Sequence, residues 1–368
     1  MKKIIICLLL LSLILSGCYN YRDVDTLEFV TAFLIDVNED NMIEIYTRAN
    51  KGVRSMDVQE ESLEIIRFKE QGETTFEAVR NMTLFTSSRL NFSQIRAIVI
   101  TERAAKSGID FFIDFIERDQ ELNIRARIFI YRGDPVELVN LDIKQEDFLG
   151  LYLWEVISNT KYVSKALDLS LNDLLNRKYS PSSTYLLPIV QIINTIGTPQ
   201  LAINGSKVFN KWNEVDEMTE EEVFYYNFLN NKIKSSIINI PNPQYLDYKI
   251  GFEILSSKTK SSCNFKDSTF YVNKKINLSV TIGDVQRSLK ITDEVIKLLE
   301  QQLSEVVTEN CMQLFNKYKR KNLDIINAKN LCYKKYPHVD YENIIPRTVL
   351  NLEVKTVIQG SSNIINFE

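Results

Sequence analysis

Ile95-Arg96-Ala97-Ile98-Val99-Ile100, then Gly108 followed by Ile109, Phe112, Ile113 and Ile116, then Ile124-Arg125-Ala126-Arg127-Ile128-Phe129-Ile130-Tyr131: this stretch decides the fold. The two outer runs are short, apolar and β-branched, as strands are. The middle segment spaces its apolar residues as the buried face of a helix. Parallel strands cannot be joined by a tight turn and need a crossover, so strand–helix–strand predicts a parallel unit. Arg132-Gly133-Asp134-Pro135 closes the second strand, and Pro135 suits a helix start because its missing N–H would go unpaired there anyway.

Working upstream, residues 29–36 and 43–46 are strand-like and flank the turn tetrapeptide Asn38-Glu39-Asp40-Asn41, which predicts a hairpin. Residues 51–64 are charged and aperiodic and read as a loop. Thr74 or Thr75 caps a helix carrying Phe76, Val79, Met82 and Leu84. Downstream, residues 148–175 follow a helical pattern through Leu151, Trp154, Ile157, Leu167, Leu171 and Leu174. Ser180-Pro181-Ser182-Ser183 and Gly197-Thr198-Pro199 bracket an expected domain boundary. Beyond it, strand signals recur at 201–203, 207–209, 248–254, 276–282 and 350–358. Ile276, Leu278, Val280 and Ile282 alternate with polar residues, so that sheet has one buried face. Its cover is residues 294–318, a helix with the stripe Val295, Leu299, Leu303, Val306, Cys311, Leu314 and Tyr318.

The expected class is therefore α+β and multidomain, with mixed sheets covered by helices and a C-terminal sheet packed on a long amphipathic helix. The expected divisions are 1–17 (leader), 18–28 (tether), 29–196 (an N-terminal α/β region, of one or two subdomains) and 197–368 (a C-terminal α+β domain).

Composition narrows function. The chain has 368 residues, 45% hydrophobic and 25% charged, so it can bury a substantial core. Its 11 glycines are under half the usual ~7%, which argues against a glycine-cradled nucleotide site. A single His disfavours zinc or imidazole acid–base chemistry, and the formal charge of −4 gives no reason to expect a nucleic-acid partner. No phosphate loop, HExxH, GxSxG or CxxC is present, so neither a cofactor nor a catalytic set is expected.

Individual candidates have plain explanations. His338 follows Pro337 in a loop. Glu220-Glu221-Glu222 before an apolar segment is the solvated start of a helix, with cation binding as the alternative. Asp36 and Asp40 resemble a carboxylate pair, although turn chemistry accounts for both. The basic stretch Lys317-Tyr318-Lys319-Arg320-Lys321, with Lys334-Lys335 after it, complements a helix C-terminus; contact with anionic lipid headgroups is the alternative.

The N-terminus MKKIIICLLLLSLILSGC has a two-lysine n-region and an apolar run reaching about 18 Å as a helix, short of a ~30 Å bilayer core. It fits a secretory leader better than a membrane span. Leu15-Ser16-Gly17-Cys18 resembles a bacterial lipobox, in which Cys18 is diacylglyceryl-modified and becomes the new N-terminus; the alternative is an ordinary leader with an incidental Cys. Two acyl chains make a stable anchor where one is marginal. Loss of Lys2 and Lys3 with the leader takes the formal charge from −4 to −6, so an anionic surface offers no extra attraction. Cys263, Cys311 and Cys332 are then odd in number and have no ligand-like spacing, and buried free thiols are the expectation.

The crossover block also carries a family resemblance. Arg89-Leu90-Asn91-Phe92-Ser93-Gln94-Ile95-Arg96-Ala97-Ile98-Val99-Ile100-Thr101-Glu102 resembles the R-x-x-x-x-x-H-x-R-x-I-V-I-G-E stretch of the Ger(x)C spore germination lipoproteins, with Gln94 and Thr101 as departures. Gly108-Ile109, Phe115, Arg118-Asp119 and Arg132-Gly133 continue the pattern, and Gly205-Ser206-Lys207-Val208-Phe209 is similar to the family's G-x-A-V-F. Cys18-Tyr19 replaces the commoner Cys-Trp, and residues 322–331 match a helix that follows the long one. The resemblance implies a non-catalytic C subunit of a nutrient germinant receptor. It would be lipid-anchored at Cys18 on the outer face of the inner spore membrane, beside multi-spanning A and B subunits. A different reading is a solute-binding lipoprotein of a transporter, which predicts a ligand cleft. A third is a carboxylate hydrolase, which has no support in the sequence.

Overall fold

The computed structural model describes residues 27–51, 64–86, 88–118, 121–143, 146, 148–360 and 366–367. The leader, Cys18, the expected tether as far as Thr26 and most of the expected 51–64 loop lie outside them, while Leu27 and Glu28, expected in the tether, already begin the first strand. In chain order, β1 (Leu27–Val37), β2 (Ile43–Lys51) and β3 (Glu64–Gly72) form an antiparallel meander. The expected hairpin is β1–β2. Its turn is held by the Asn38 side chain, which accepts from the Asp40 and Met42 N–H groups, and Asn41 takes a φ of 59°.

Helix α1 (Thr75–Met82) starts at Thr74, whose hydroxyl accepts from Glu77 N–H. β4 (Arg89–Asn91) pairs with the first residues of β1. The crossover unit follows. β5 (Ala97–Thr101) and β6 (Arg127–Arg132) pair in parallel, and the connection holds two helices rather than one, α2 (Glu102–Lys106) and α3 (Asp110–Arg118). Next come α4 (Pro135–Asn140), α5 (Leu149–Asn159), α6 (Leu171–Lys178), β7 (Thr184–Thr195), β8 (Thr198–Asn210) and β9 (Asn213–Met218). The helical pattern expected over 148–175 is thus broken between α5 and α6. Leu167 in the gap is buried all the same, so an apolar position of the expected pattern is filled without a helix.

These strands form one nine-stranded sheet in the order β3-β2-β1-β5-β6-β7-β8-β9, with β4 beside β1. Strand β7 escapes the sequence reading because the apolar run around Pro188 is buried on both faces and shows no alternation. The turn at Gly197 joins β7 to β8 within this sheet. The expected division at 196/197 therefore falls on a hairpin, and residues 198–218 hydrogen-bond into the N-terminal sheet. One sheet face packs Phe33, Ile98, Ile100, Ile128 and Ile130 under α1, α2, α3 and α6. The other packs Leu34, Val99, Phe129 and Tyr131 under α4 and α5. Gly150 lets α5 approach closely, since a Cβ there would lie 1.8 Å from the Thr31 carbonyl oxygen.

The remainder builds a second layer: α7 (Glu220–Leu229), β10 (Ile237–Asn242), β11 (Tyr245–Lys266), β12 (Thr269–Val285), β13 (Leu289–Lys290), α8 (Asp293–Arg320), α9 (Ala328–Tyr333), β14 (Thr348–Ile358) and β15 (Asn366–Phe367). The sheet order is β10-β11-β12-β14, with β14 parallel to β12, and β13 pairs with β15 apart from it. The long helix is α8. Its buried stripe is Leu299, Leu303, Val307, Cys311, Leu314, Phe315 and Tyr318, so Val307 takes the place expected of Val306. Of the 322–331 helix only α9 forms, opened by Asn327 in the left-handed region.

One expectation is overturned. Cys263 and Cys332 form a disulfide, with their Cα atoms 5.2 Å apart, and only Cys311 of the three is a free buried thiol. The pairing joins the end of β11 to α9 across 69 residues, a contact that local spacing does not reveal.

Candidate functional site

Three separate sequence motifs meet at one charged centre. Glu102 ends the crossover-strand motif, Arg132 opens Arg132-Gly133, and Lys207 lies in Gly205-Ser206-Lys207-Val208-Phe209. Strands β5 and β6 are adjacent, so their carboxyl ends place Glu102 beside Arg132. Arg132 donates to Glu102 through Nε at 2.9 Å and Nη2 at 2.7 Å, and its Nη2 reaches Glu217 at 2.7 Å. Lys207 Nζ lies 3.1 Å from Glu102, 2.9 Å from Glu214 and 2.9 Å from Glu217.

Gly205 sets the Lys207 position. It bulges at φ 72°, and a Cβ there would fall 2.3 Å from the Met218 carbonyl oxygen. Only glycine permits that approach. The turn between β8 and β9 then folds Glu214 and Glu217 back beside Lys207. That short turn is the sequence signal that points to both acids.

The electrostatics follow from the geometry. Burial alone would raise the Glu102 and Glu217 carboxyls, but hydrogen bonds from Arg132 and Lys207 outweigh it and hold both below the ordinary value. Burial alone would lower Lys207, yet its three carboxylates push it up. Glu102, Glu217 and Lys207 stay ionised near neutrality, so they lock strands together and exchange no protons there.

A cavity of about 370 Å³ lies alongside, at the carboxyl ends of β1, β5 and β6. Asp36 enters it from β1, where it accepts from both the Arg103 guanidinium and the Thr101 hydroxyl. Asp36 is therefore a buried partner of Arg103 and not a turn residue, while Asp40 stays exposed in the hairpin turn; the two form no dyad. Across the cavity, Tyr46 donates to Glu44 at 2.7 Å, and Glu44 pairs with Lys69 at 3.0 Å. Burial and the Glu44 contact push Tyr46 up to about 12. Tyr131 is 1% exposed and its hydroxyl has no hydrogen-bond partner.

The other sequence candidates sit elsewhere. Cys18 lies outside the described residues. Glu220 to Glu222 begin α7, with Thr219 and Glu222 closing a reciprocal cap, as expected of a helix start. His338 is exposed. The basic stretch is largely engaged within the chain: Lys317 pairs with Glu222 at 2.6 Å, Lys321 with Asp216 at 2.5 Å, and Lys319 donates to the Thr348 carbonyl at 2.7 Å. Among the described residues no group of three acidic, Cys or His side chains could hold a metal ion, and no helix is long and apolar enough to cross a membrane.

Comparison with known proteins places the motifs in context. Residues 20–192 match the family described as Spore germination protein N-terminal domain, and residues 204–362 match Spore germination B3/GerAC like, C-terminal. Spore germination protein KC of Bacillus subtilis (strain 168) is 24% identical, over 91% of this chain and 88% of its own. GerQC of Bacillus cereus is 20% identical over 89% of each chain. The crystal structure of the GerBC protein has the same fold, with a TM-score of 0.60 at 14% identity, covering 92% of this chain and all of that one.

Proposed function

The chain belongs to the Ger(x)C family of spore germination proteins, and from that membership we propose that it is a non-catalytic subunit of a spore nutrient germinant receptor. It is held by a diacylglyceryl group on Cys18 at the outer face of the inner spore membrane and works by assembling with multi-spanning A and B subunits. The observation that carries this reading is the match of both halves of the chain to family models that between them span residues 20–362. The motif-borne centre at Glu102, Arg132 and Lys207 supports it, because its acids and bases pair with one another and tie strands together as a scaffold requires. Leu15-Ser16-Gly17-Cys18 supports the anchor.

The test uses a strain stripped of redundant receptors. Deleting the gene is expected to abolish nutrient-triggered germination, and Cys18→Ala is expected to release the protein from the spore membrane fraction and impair the response. Normal nutrient germination in the deletion strain would overturn the receptor reading. Membrane retention and full activity of the Cys18→Ala protein would overturn the anchor.

A further inference from the structure

A second cavity, of about 250 Å³, lies where the N-terminal sheet meets the last short helix. Three cations line it from three elements: Arg177 at the end of α6, Lys211 in the β8–β9 turn, and Lys329 in α9. No carboxylate lines it. Among the described residues none of the three side chains has an ion-pair or hydrogen-bond partner, in contrast to Lys207.

The frame around these cations is fixed. Asn330 Oδ1 accepts from Ser182 N–H at 3.0 Å, and its amide donates to Ser180 Oγ at 2.7 Å, tying α9 to the segment before β7. Lys211 N–H donates to the Ser183 carbonyl at 2.9 Å. Lys211 also takes a φ of 55°, the left-handed region that favours glycine. Tyr185 lines the same cavity, is 2% exposed, and its hydroxyl is buried with no hydrogen-bond partner. Trp212 adds an aromatic wall. Cations gathered in a concave site whose lining holds no carboxylate repel one another, and a buried donor left unpaired is costly. A bound anion relieves both.

We propose that this cavity binds a small oxyanion, a carboxylate or a phosphate group, through Arg177, Lys211 and Lys329, with Tyr185 donating a hydrogen bond. The walls come from both halves of the chain, so occupancy strengthens the packing of α9 against the N-terminal sheet. The site is separate from the Glu102 centre and does not depend on the receptor reading.

The test uses the full-length protein in detergent. Sodium phosphate and sodium benzoate are titrated separately, each against sodium chloride at matched ionic strength, with thermal midpoint as the first readout. The second is fluorescence of Trp212 in a Trp154→Phe background, which reports occupancy independently of stability. At least one anion is expected to give a saturable response in both readouts beyond chloride, and the one that does identifies the group recognised. Loss of a charged hydrogen bond is expected to weaken binding by about tenfold in Lys211→Gln or Lys329→Gln. Tyr185→Phe is expected to weaken it by a smaller factor, and Lys297→Gln, an exposed lysine on α8, leaves it unchanged. No response beyond chloride for either anion, or an undiminished response in the Lys211→Gln/Lys329→Gln double variant, would overturn the proposal.

Discussion

Two buried lysines, one in each sheet, solve the same problem in opposite ways. Lys207 in β8 is surrounded by Glu102, Glu214 and Glu217, and its ammonium is held more firmly than in water. Lys274 in β12 is 4% exposed and donates only to neutral acceptors, the Leu229 carbonyl at 2.8 Å and Ser261 Oγ at 3.1 Å. Burial brings it down to about 8. Burial pushes both ammonium groups down, and only at Lys207 do neighbouring carboxylates outweigh it. The N-terminal sheet spends its buried charge on joining strands distant in sequence. The C-terminal sheet tolerates a buried charge and is held by apolar packing and a covalent link.

The contrast breaks most visibly at Lys207. Lys207→Met leaves three carboxylates crowded without their shared cation, and the expected cost is about 3–5 kcal/mol in denaturant unfolding. A loss below about 1 kcal/mol would mean that Arg132 alone suffices and that the centre is ornamental to stability. In the C-terminal sheet the comparable lesion is the disulfide. The Cys263→Ala/Cys332→Ala pair is expected to cost about 2–4 kcal/mol, because a 69-residue loop regains its freedom in the unfolded chain. Limited proteolysis should then cut around α9 before it cuts the nine-stranded sheet.

Lys274→Met should go the other way and stabilise by about 1 kcal/mol at pH 7, since losing the penalty of a buried charge outweighs two orphaned acceptors. The pH dependence fixes the sign. The folded-state value of about 8 lies below the ordinary 10.5, so between those values the unfolded chain holds a proton that the folded chain lacks. Wild-type stability therefore gains from this group as pH rises across the window, and the advantage of Lys274→Met shrinks and reverses. Lys207, raised instead, contributes stability that is complete below 10.5 and is lost only on passing its higher folded value. Unfolding midpoints at pH 7, 8.5 and 10 for wild type and Lys274→Met check this directly; a constant gap would refute it.

Much of this architecture was legible in the sequence because its signals are local. The β5–β6 crossover, the β1–β2 hairpin, the one-faced alternation of β12 and the period of α8 each lie within one window. Strand β7 was hidden because it is buried on both faces and contains Pro188, and β9 because Asn213-Glu214-Val215-Asp216-Glu217-Met218 is mostly polar. The charged centre was half legible: its motif residues were visible one at a time, but Glu102, Arg132 and Lys207 meet only through sheet order. The cation cavity and the disulfide were not legible at all, since the two cysteines lie 69 residues apart, the three cations come from three separate elements, and nothing in local spacing links them.

The disulfide has a mechanical consequence. The ring closed between Cys263 and Cys332 contains all of β12, β13 and α8. The bridge fixes the two ends of that loop together, so the end of β11 and α9 stay in contact whatever the elements between them do. Helix α9 is therefore a two-sided fastening, joined to the C-terminal sheet by a covalent bond and to the segment before β7 by the hydrogen bonds of Asn330.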